Sequence, residues 1–429
     1  MKKYDRTVLK NGLTLVSELH PHTNAVSIGF GIRAGSIVES EAECGSFHFL
    51  EHLVFKATKK YSSFELVNIL EEKGGDLNAF TSKEYTCYHS FSLAEDLEKA
   101  VDVLSQIVFQ PKFTKKDFEL EKDVVIQEIS MSKDTPDDYI IDRFYELLYP
   151  KKAVGRPIFG TEESVRALKL SDLKKLHKDY YFPENVVVTA TGNFDLDKLI
   201  QLLEKLTPKT KSGLKPKKLS KVKQKAKEFF VVEPRDLEQV HMLLSFPSSS
   251  VIDGINYPTA IINSYLGSGM NSVLFQKLRE EQGLCYSVGS SFHPGFSTGN
   301  FVVSASCHPN QIDKLVASTM KEMRKIQKSS MSKKIVEKMQ QQIRCTLLLG
   351  ESEIESRMNA MLYDEIFRGI YRNTDKVVEG ICSTEKKDID AYLSKFLDTN
   401  APSLLLLGKV SEKQEAKIRK NLKPIKEVN

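Results

Sequence analysis

The sequence predicts an α+β fold of two homologous halves, each an antiparallel or mixed sheet packed with helices. Strand-like segments are grouped before helical ones instead of alternating with them, which favours α+β over a doubly wound sheet. The two halves repeat the same order of segments, which indicates a duplication. A lysine-rich stretch at 205–227, with ten lysines, two prolines and no acidic residue, separates them.

Length and composition set the number of domains and exclude several classes of protein. The chain has 429 residues, 41% of them hydrophobic, whereas one domain usually holds roughly 100–200 residues. We expect an N-terminal domain over 1–207, a linker over 208–227 and a C-terminal domain over 228–429. No apolar run approaches the about 20 residues that a bilayer requires, so we expect no membrane span. The linker has no arginine or aromatic residue, so we expect no nucleic-acid partner.

The first half opens with a predicted hairpin. Its signal is Asn11-Gly12 between alternating apolar residues, the dipeptide that tight hairpin turns prefer. Strands are predicted at 6–10, 13–16, 25–34 and 85–92, and helices at 94–108 and 114–132.

The second half repeats strands followed by helices. Strands are predicted at 228–232, 240–246, 285–292 and 301–306, and helices at 257–279 and 310–326. Residues 266–272 form a glycine-rich segment, but it lacks Gly-Lys-Ser/Thr and follows a helix, so a phosphate-binding loop is disfavoured.

An H-x-x-E-H motif at 48–52 carries the clearest chemistry. Residues 40–43 have the spacing of a capping box that would start a helix there. On that helix His48 and His52 are four residues apart and project from one face, so their imidazoles can hold one Zn²⁺. Glu51 cannot easily be a ligand beside its neighbour, and its natural role is that of general base. Two histidines without a metal remain the alternative.

A catalytic zinc needs a third protein ligand on another element. Glu121 and Glu128 lie seven residues apart on one face of the helix predicted at 114–132. Glu128 has apolar neighbours, which favours a carboxylate that is paired or metal-bound over one that is freely solvated. A charge at the helix edge is the alternative.

These residues resemble the pitrilysin/insulinase-type zinc peptidases, in particular the short branch with the mitochondrial processing peptidases and their bacterial relatives. That family has a glutamate about 76 residues after an inverted zinc motif, and His52 and Glu128 have this spacing. The resemblance implies that His48, His52 and Glu128 bind one Zn²⁺ per chain. It implies that Glu51 activates the water and that Glu121 orients the site.

Further blocks along nearly the whole chain are similar to the family. Asn78, Ala79 and Phe80 lie in a block that, by resemblance, forms an edge strand whose backbone binds the substrate. Gly267 and Gly269 lie in the glycine-rich segment, which by resemblance is a mobile loop bordering the substrate chamber.

Arg279 and Tyr286 lie in another block that resembles the family. In relatives an arginine and a tyrosine there assist substrate binding or stabilise the tetrahedral intermediate. The alternative is an ion-paired arginine beside a half-buried strand tyrosine.

The resemblance implies a zinc-dependent endopeptidase that cleaves unfolded peptides or presequence-like segments. A non-catalytic structural or peptide-binding family member is the alternative. The family's chamber has four homologous domains and this chain carries two, so we expect a homodimer, with a heterodimer containing an inactive relative as the alternative. No apolar segment follows the N-terminal residues, and the six cysteines form no C-x-x-C pair. We therefore expect reduced thiols and a cytoplasmic, bacterial-type protein; an organellar protein that has lost its presequence stays open.

Overall fold

The computed structural model describes residues 4–216 and 218–422. The strands are β1 (Tyr4–Val8), β2 (Thr14–Leu19), β3 (Ala25–Ile32), β4 (Asp76–Thr81), β5 (Thr86–Leu93), β6 (Val186–Gly192), β7 (Phe229–Glu233), β8 (Val240–Pro247), β9 (Ser287–Pro294), β10 (Gly299–Cys307) and β11 (Ser403–Leu407). The α-helices are α1 (Ser46–Val54), α2 (Ser63–Glu71), α3 (Leu97–Phe109), α4 (Lys115–Asp134), α5 (Pro136–Leu148), α6 (Glu162–Ala167), α7 (Leu170–Tyr180), α8 (Leu196–Leu206), α9 (Tyr257–Leu266), α10 (Ile312–Ser329), α11 (Lys333–Leu349), α12 (Ile354–Arg368), α13 (Thr374–Cys382), α14 (Lys386–Phe396) and α15 (Glu412–Asn421). Within the described ranges, none of these helices is both long and apolar enough to cross a membrane.

The first of two compact units contains a six-stranded mixed sheet. This unit comprises Met1–Met131, Arg156–Leu219 and Glu351–Arg372. Its strand order is β1-β2-β6-β3-β5-β4, in which β2 and β6 are parallel and the other neighbours antiparallel. The predicted hairpin is confirmed as β1 and β2, with Gly12 at φ 91° in the turn.

The two faces of the first unit's sheet are covered differently. Along β3 the apolar residues Val26, Ile28 and Phe30 alternate with small ones and face the main core, which α1 and α3 help to build. The opposite face of β3 carries Gly29 and Gly31. A Cβ atom at Gly31 would lie 2.3 Å from Leu362 Cδ1, so α12 packs directly onto the glycine backbone.

The second unit repeats the topology of the first. It comprises Ser132–Gly155, Ser220–Gly350 and Asn373–Asn429. Its sheet order is β7-β11-β8-β10-β9, with β7 and β11 parallel and the remaining pairs antiparallel. Five strands of the first sheet, in the order β2-β6-β3-β5-β4, have the same directions. The predicted α+β fold with two homologous halves is confirmed.

Two segments are exchanged between the halves: each clusters with the unit formed mainly by the other half of the chain. Ser132–Gly155, which contains α5, clusters with the second unit, and Glu351–Arg372, which contains α12, clusters with the first. The predicted domains 1–207 and 228–429 with their linker 208–227 therefore stay a proposal about the homologous halves. Residues 1–3, 217 and 423–429 of those ranges lie outside the described residues.

Most predicted elements are confirmed to within a few residues, and one helix is wrong. The helix predicted at 257–279 ends at Leu266, because Gly267 and Gly269 follow and Gly269 has φ 95°. Further along, Phe275–Glu280 forms a short π-helix.

Candidate metal centre

The helix that carries the H-x-x-E-H motif begins later than its sequence signal indicates. The capping box of Ser40 and Glu43 exists, but it caps a short 3₁₀ turn, not α1. The N-cap of α1 is Gly45, at φ 91°, which has no side chain. The buried Glu39 side chain caps α1 from a distance by accepting hydrogen bonds from the Gly45 and Phe47 amides.

Three candidate ligand atoms converge between α1 and α4. His48, His52 and Glu128 each offer an atom, and these atoms all lie within 4.8 Å of one another. Glu128 Oε2 is 3.4 Å from His52 Nε2 and 3.8 Å from His48 Nε2. The two histidines are one helical turn apart on α1, so their side chains lie on the same face of that helix. Glu128 approaches them from the neighbouring helix α4.

The surroundings give the two histidines opposite protonation tendencies. Burial, with the nearby His52, lowers the pKa of His48 to about 4, so its imidazole is neutral at pH 7. Burial acts in the same direction on His52, but hydrogen bonds with Glu121 and Glu128 outweigh it and raise its pKa to about 9. A metal ion bound here would therefore replace a proton that the carboxylates stabilise.

Glu121, the residue that by resemblance orients the site, lies beside the ring of His52. Its Oε1 accepts a hydrogen bond of 2.9 Å from His52 Nδ1, and its Oε2 is ion-paired with Lys56. Burial acts to raise the pKa of Glu121, but these two partners hold it below its usual value. The charged carboxylate binds the Nδ1–H of His52, which leaves Nε2 facing the other ligand atoms.

Glu51 lies beside the ligand atoms on α1 and is held by the end of strand β4. Thr81 Oγ1 donates a hydrogen bond to Glu51 Oε2. Burial raises the pKa of Glu51, and the bond from Thr81 acts against that shift. A carboxylate with a raised pKa that is oriented by a hydroxyl has the properties of a general base.

The donor set fits a catalytic zinc ion. Two atoms bound about 2.1 Å from one ion at the tetrahedral angle lie about 3.4 Å apart, which is close to the 3.4 Å and 3.8 Å between Glu128 Oε2 and the two imidazole nitrogens. Two imidazole nitrogens and one carboxylate oxygen also leave the fourth position open, as catalytic sites do. His48 Nε2 and Glu128 Oε2 are too far apart, at 3.8 Å, to satisfy each other by a hydrogen bond.

The predicted substrate strand is β4, and it lies at the edge of the first unit's sheet. Its Ala79 amide donates to the side chain of Asn78, at Oδ1, over 2.8 Å. Asn78 is exposed, and Phe80 contacts the ring of His89 on the face of the sheet that α12 covers. The same strand therefore carries an open backbone edge and the hydroxyl that holds Glu51.

The other predicted residues lie in the second unit. The Arg279 guanidinium lies 4.7 Å from the ring centroids of both Phe275 and Tyr286, and Tyr286 is 76% exposed. Gly267 follows α9, and a Cβ atom there would lie 2.4 Å from the Ser290 amide of β9. Gly269, with φ 95°, continues the same turn.

Sequence reasoning missed four supporting residues of the site. They are the remote cap Glu39, the hydroxyl donor Thr81, the cation Lys56 and the ring of Phe159, whose centroid is 4.5 Å from that of His48. Lys56 lies four residues after the H-x-x-E-H motif and Thr81 directly follows Phe80, so their closeness to residues that resemble the family was the available signal. Glu39 and Phe159 gave none, because each acts through a tertiary contact.

Comparisons with known proteins agree with this architecture. The family model described as "Insulinase (Peptidase family M16)" matches residues 14–162, the range that contains the metal centre. The model described as "Peptidase M16 inactive domain" matches residues 167–343. Among solved structures, a protease from Helicobacter pylori has a TM-score of 0.86 at 21% identity, covering 95% of this chain and 100% of that one. A peptidase M16 inactive domain from Pseudomonas fluorescens has a TM-score of 0.84 at 16% identity, covering 95% and 98%.

Curated relatives match along almost the full length. An uncharacterized zinc protease of Streptomyces coelicolor is 30% identical over 421 residues, which cover 96% of this chain and 91% of that protein. One of Bacillus subtilis is 31% identical over 404 residues, which cover 94% and 98%. One of Mycobacterium tuberculosis is 32% identical over 397 residues, which cover 91% and 90%. The matched fold, the length of these alignments and the models for both halves lead to one conclusion: the chain belongs to the insulinase family of peptidases, family M16.

Proposed function

We propose that the protein is a zinc-dependent endopeptidase that cleaves unfolded peptides or presequence-like segments. The observation that carries the proposal is the convergence of His48, His52 and Glu128 within 4.8 Å, next to the oriented carboxylate of Glu51. Relatives that are named zinc proteases support the choice of metal and reaction.

The chain's own residues divide the proposed work between them. His48, His52 and Glu128 would hold one zinc ion, which when bound lowers the pKa of water and polarises a carbonyl group. Glu51 takes the proton of the attacking water and delivers it to the departing amine nitrogen. Glu121 keeps His52 in the required tautomer.

The substrate is proposed to bind as an added strand along β4. Strand β4 is the last strand of its sheet, so an extended peptide could bond to it through its main chain, as at the Ala79 amide, whatever the peptide's side chains are. Asn78 and Phe80 flank that amide. A peptide bound in this way would run past Thr81, the residue that holds Glu51.

In the second unit we propose supporting roles for four residues. Arg279 and Tyr286 form a stacked pair with an exposed ring, and they would contact the substrate or stabilise the developing oxyanion. Gly267 and Gly269 would let the glycine-rich segment move as substrate enters.

The proposed working form is a homodimer in the bacterial cytoplasm. The chain has two of the four homologous domains of the family's chamber, so a second copy would complete it; a heterodimer with an inactive relative is the other arrangement. Within the described residues none of the six cysteines forms a disulfide, and the curated relatives compared above are bacterial, which supports a reducing compartment.

Cleavage of an unstructured, internally quenched peptide tests the function. Wild type and Glu51→Gln are compared, with the zinc content of both measured. We expect about one zinc per chain in each and cleavage by wild type alone. A wild type that binds zinc but cleaves no peptide, alone or mixed with a related subunit, would favour the non-catalytic alternative. If wild type binds no zinc, the proposed metal centre is wrong.

A further inference from the structure

The two histidines of the metal centre are held in different ways. His52 donates from Nδ1 to Glu121, a bond that fixes the plane of its ring. His48 Nδ1 is buried and has no hydrogen-bond partner among the described residues. Metal-binding imidazoles usually donate their second N–H to a carboxylate, a carbonyl or water, so His48 lacks the support that His52 has. Among the described residues, its direction is set by packing and by its backbone.

Packing supplies only part of that support. The ring of Phe159 meets the His48 ring edge to face, with centroids 4.5 Å apart. Such a contact limits rotation on one side, but it does not fix the height of the imidazole along the helix. That height depends on where α1 begins, because His48 lies in the first turn of this nine-residue helix.

The beginning of α1 is fixed by Glu39. Its Oε2 accepts from the Gly45 amide at 2.9 Å, and its Oε1 accepts from the Phe47 amide at 2.8 Å and the Ser46 hydroxyl at 3.3 Å. These are the three residues directly before His48. The Glu39 residue is only 5% exposed, so water does not compete for these donors.

No residue at the N-cap position could do this work. The first amides of a helix have no partners within the helix and need an acceptor from outside. Here the N-cap is Gly45, where a Cβ atom would lie 2.5 Å from the Phe159 carbonyl oxygen. A serine or aspartate cap is therefore sterically excluded, and the acceptor has to come from further along the chain.

We propose that Glu39 is a positioning residue of the metal centre, which fixes the backbone of His48 as Glu121 fixes the ring of His52. The inference rests on the proposed zinc site and adds a requirement to it. Both Glu39 oxygens accept hydrogen bonds, which a glutamine amide cannot reproduce, because its NH₂ group would face a backbone amide. Loss of Glu39 should therefore release the first turn of α1.

Zinc affinity of the metal-free protein tests the proposal without use of activity. Wild type, Glu39→Gln and Glu43→Gln are titrated against a competing chelator, and the thermal unfolding of each metal-free protein is recorded. Glu43 is the matched control, since it is a nearby glutamate that caps the neighbouring 3₁₀ turn. We expect Glu39→Gln to bind zinc about 10-fold to 100-fold more weakly, as is typical when a supporting partner is lost, and Glu43→Gln to match wild type.

Zinc affinity is measured at a temperature at which each metal-free variant is fully folded, which separates an effect on positioning from an effect on stability. Where the metal-free variant is fully folded, a lower melting temperature alone leaves zinc affinity unchanged. A folded Glu39→Gln with wild-type affinity therefore overturns the inference and leaves the zinc site intact. If wild type binds no zinc, both the proposed zinc site and the proposed role of Glu39 are overturned. If Glu39→Gln does not fold, Glu39→Asp takes its place, because the shorter side chain keeps the charge but cannot reach both amides; wild-type affinity in that variant also overturns the inference.

Discussion

Two reactive side chains of the metal centre, His52 and Glu51, each have a holding contact. Glu121 bonds His52, and Thr81 bonds Glu51. Thr81 differs from the other partner because it belongs to the strand proposed to bind substrate. The hydroxyl thus links the edge of the sheet to the carboxylate that would move the proton, across a single hydrogen bond.

Removal of that hydroxyl should slow catalysis without loss of the metal. Thr81→Val keeps the shape of the side chain but frees the Glu51 carboxylate. A hydrogen bond to a charged group contributes about 1.5–3 kcal/mol, so we expect kcat to fall roughly 10-fold to 100-fold. KM and zinc content should stay near wild type, and Thr81→Ser should restore most of kcat.

Thr86→Val is the matched control for this variant. Thr86 lies opposite Thr81 on β5, and its hydroxyl donates to the Ala34 carbonyl, away from Glu51. Steady-state kinetics should show wild-type kcat for this control. A Thr81→Val enzyme with unchanged kcat would show that Glu51 is oriented without the hydroxyl.

At the scale of elements, the glycine face of β3 determines how closely α12 approaches the sheet. Gly31 leaves no room for a methyl group, because the nearest Leu362 carbon would be 2.3 Å away. Its φ is not in the left-handed region, so the constraint is steric and not conformational. Close packing of this kind makes the position sensitive to a single carbon atom.

Gly31→Ala should destabilise the first unit by about 1–3 kcal/mol through overpacking. Urea unfolding measures it. In combination with Leu362→Ala, the cost should be less than the sum of the two single changes, because the smaller side chain makes room for the methyl group. Gly350→Ala, in open space, is the control and should unfold like wild type. Strict additivity of Gly31→Ala and Leu362→Ala would contradict this packing.

A buried ion pair also ties the α12 segment to the sheet. Glu18 on β2 accepts from Arg357 at 2.5 Å and from Tyr371 at 2.6 Å. Burial acts to raise the pKa of Glu18, but the bonds from His20, Arg357 and Tyr371 outweigh it and lower the pKa to about 2.

The sign of this shift predicts a dependence on acid. A carboxylate whose pKa is lower in the folded than in the unfolded protein stabilises the fold above the unfolded value of about 4.5, and that contribution is lost as the pH falls toward 2. It amounts to roughly 3 kcal/mol at pH 7. The gap in urea midpoint between wild type and Glu18→Gln should therefore narrow from pH 7 to pH 3. Glu41→Gln, an exposed control, should show no such gap; an equal gap at both pH values for Glu18→Gln would contradict the assignment.

At the scale of elements, the sequence predicts local features well and long-range contacts poorly. The H-x-x-E-H helix, the hairpin and α4 were predictable, because each signal is local. The remote cap was not, since Glu39 acts across an intervening 3₁₀ turn. The parallel pairing of β2 with β6 was equally out of reach, because it joins strands that are far apart in the chain.

For the whole molecule, the proposed dimer gives a direct expectation. Light scattering after gel filtration should report twice the 48.6 kDa of one chain at micromolar concentration. Dilution until the monomer dominates should abolish cleavage while zinc stays bound, because the metal centre lies within one chain whereas the proposed chamber would be completed by a second copy. Full specific activity in a monomer would refute the need for a second copy.

The position of α12 in the chain also affects how the protein is made. The last strand of the first sheet ends at Gly192, whereas the helix that covers its glycine face ends at Arg368. At ordinary translation rates, the ribosome needs roughly 10–35 s to synthesise the intervening chain. During that time the nascent sheet has an uncovered face, which a chaperone can occupy. The nascent chain therefore carries every proposed zinc ligand before the helix that completes its first unit has been synthesised. A chain released early would expose the uncovered face of the sheet and would bind a chaperone before it could act as a peptidase.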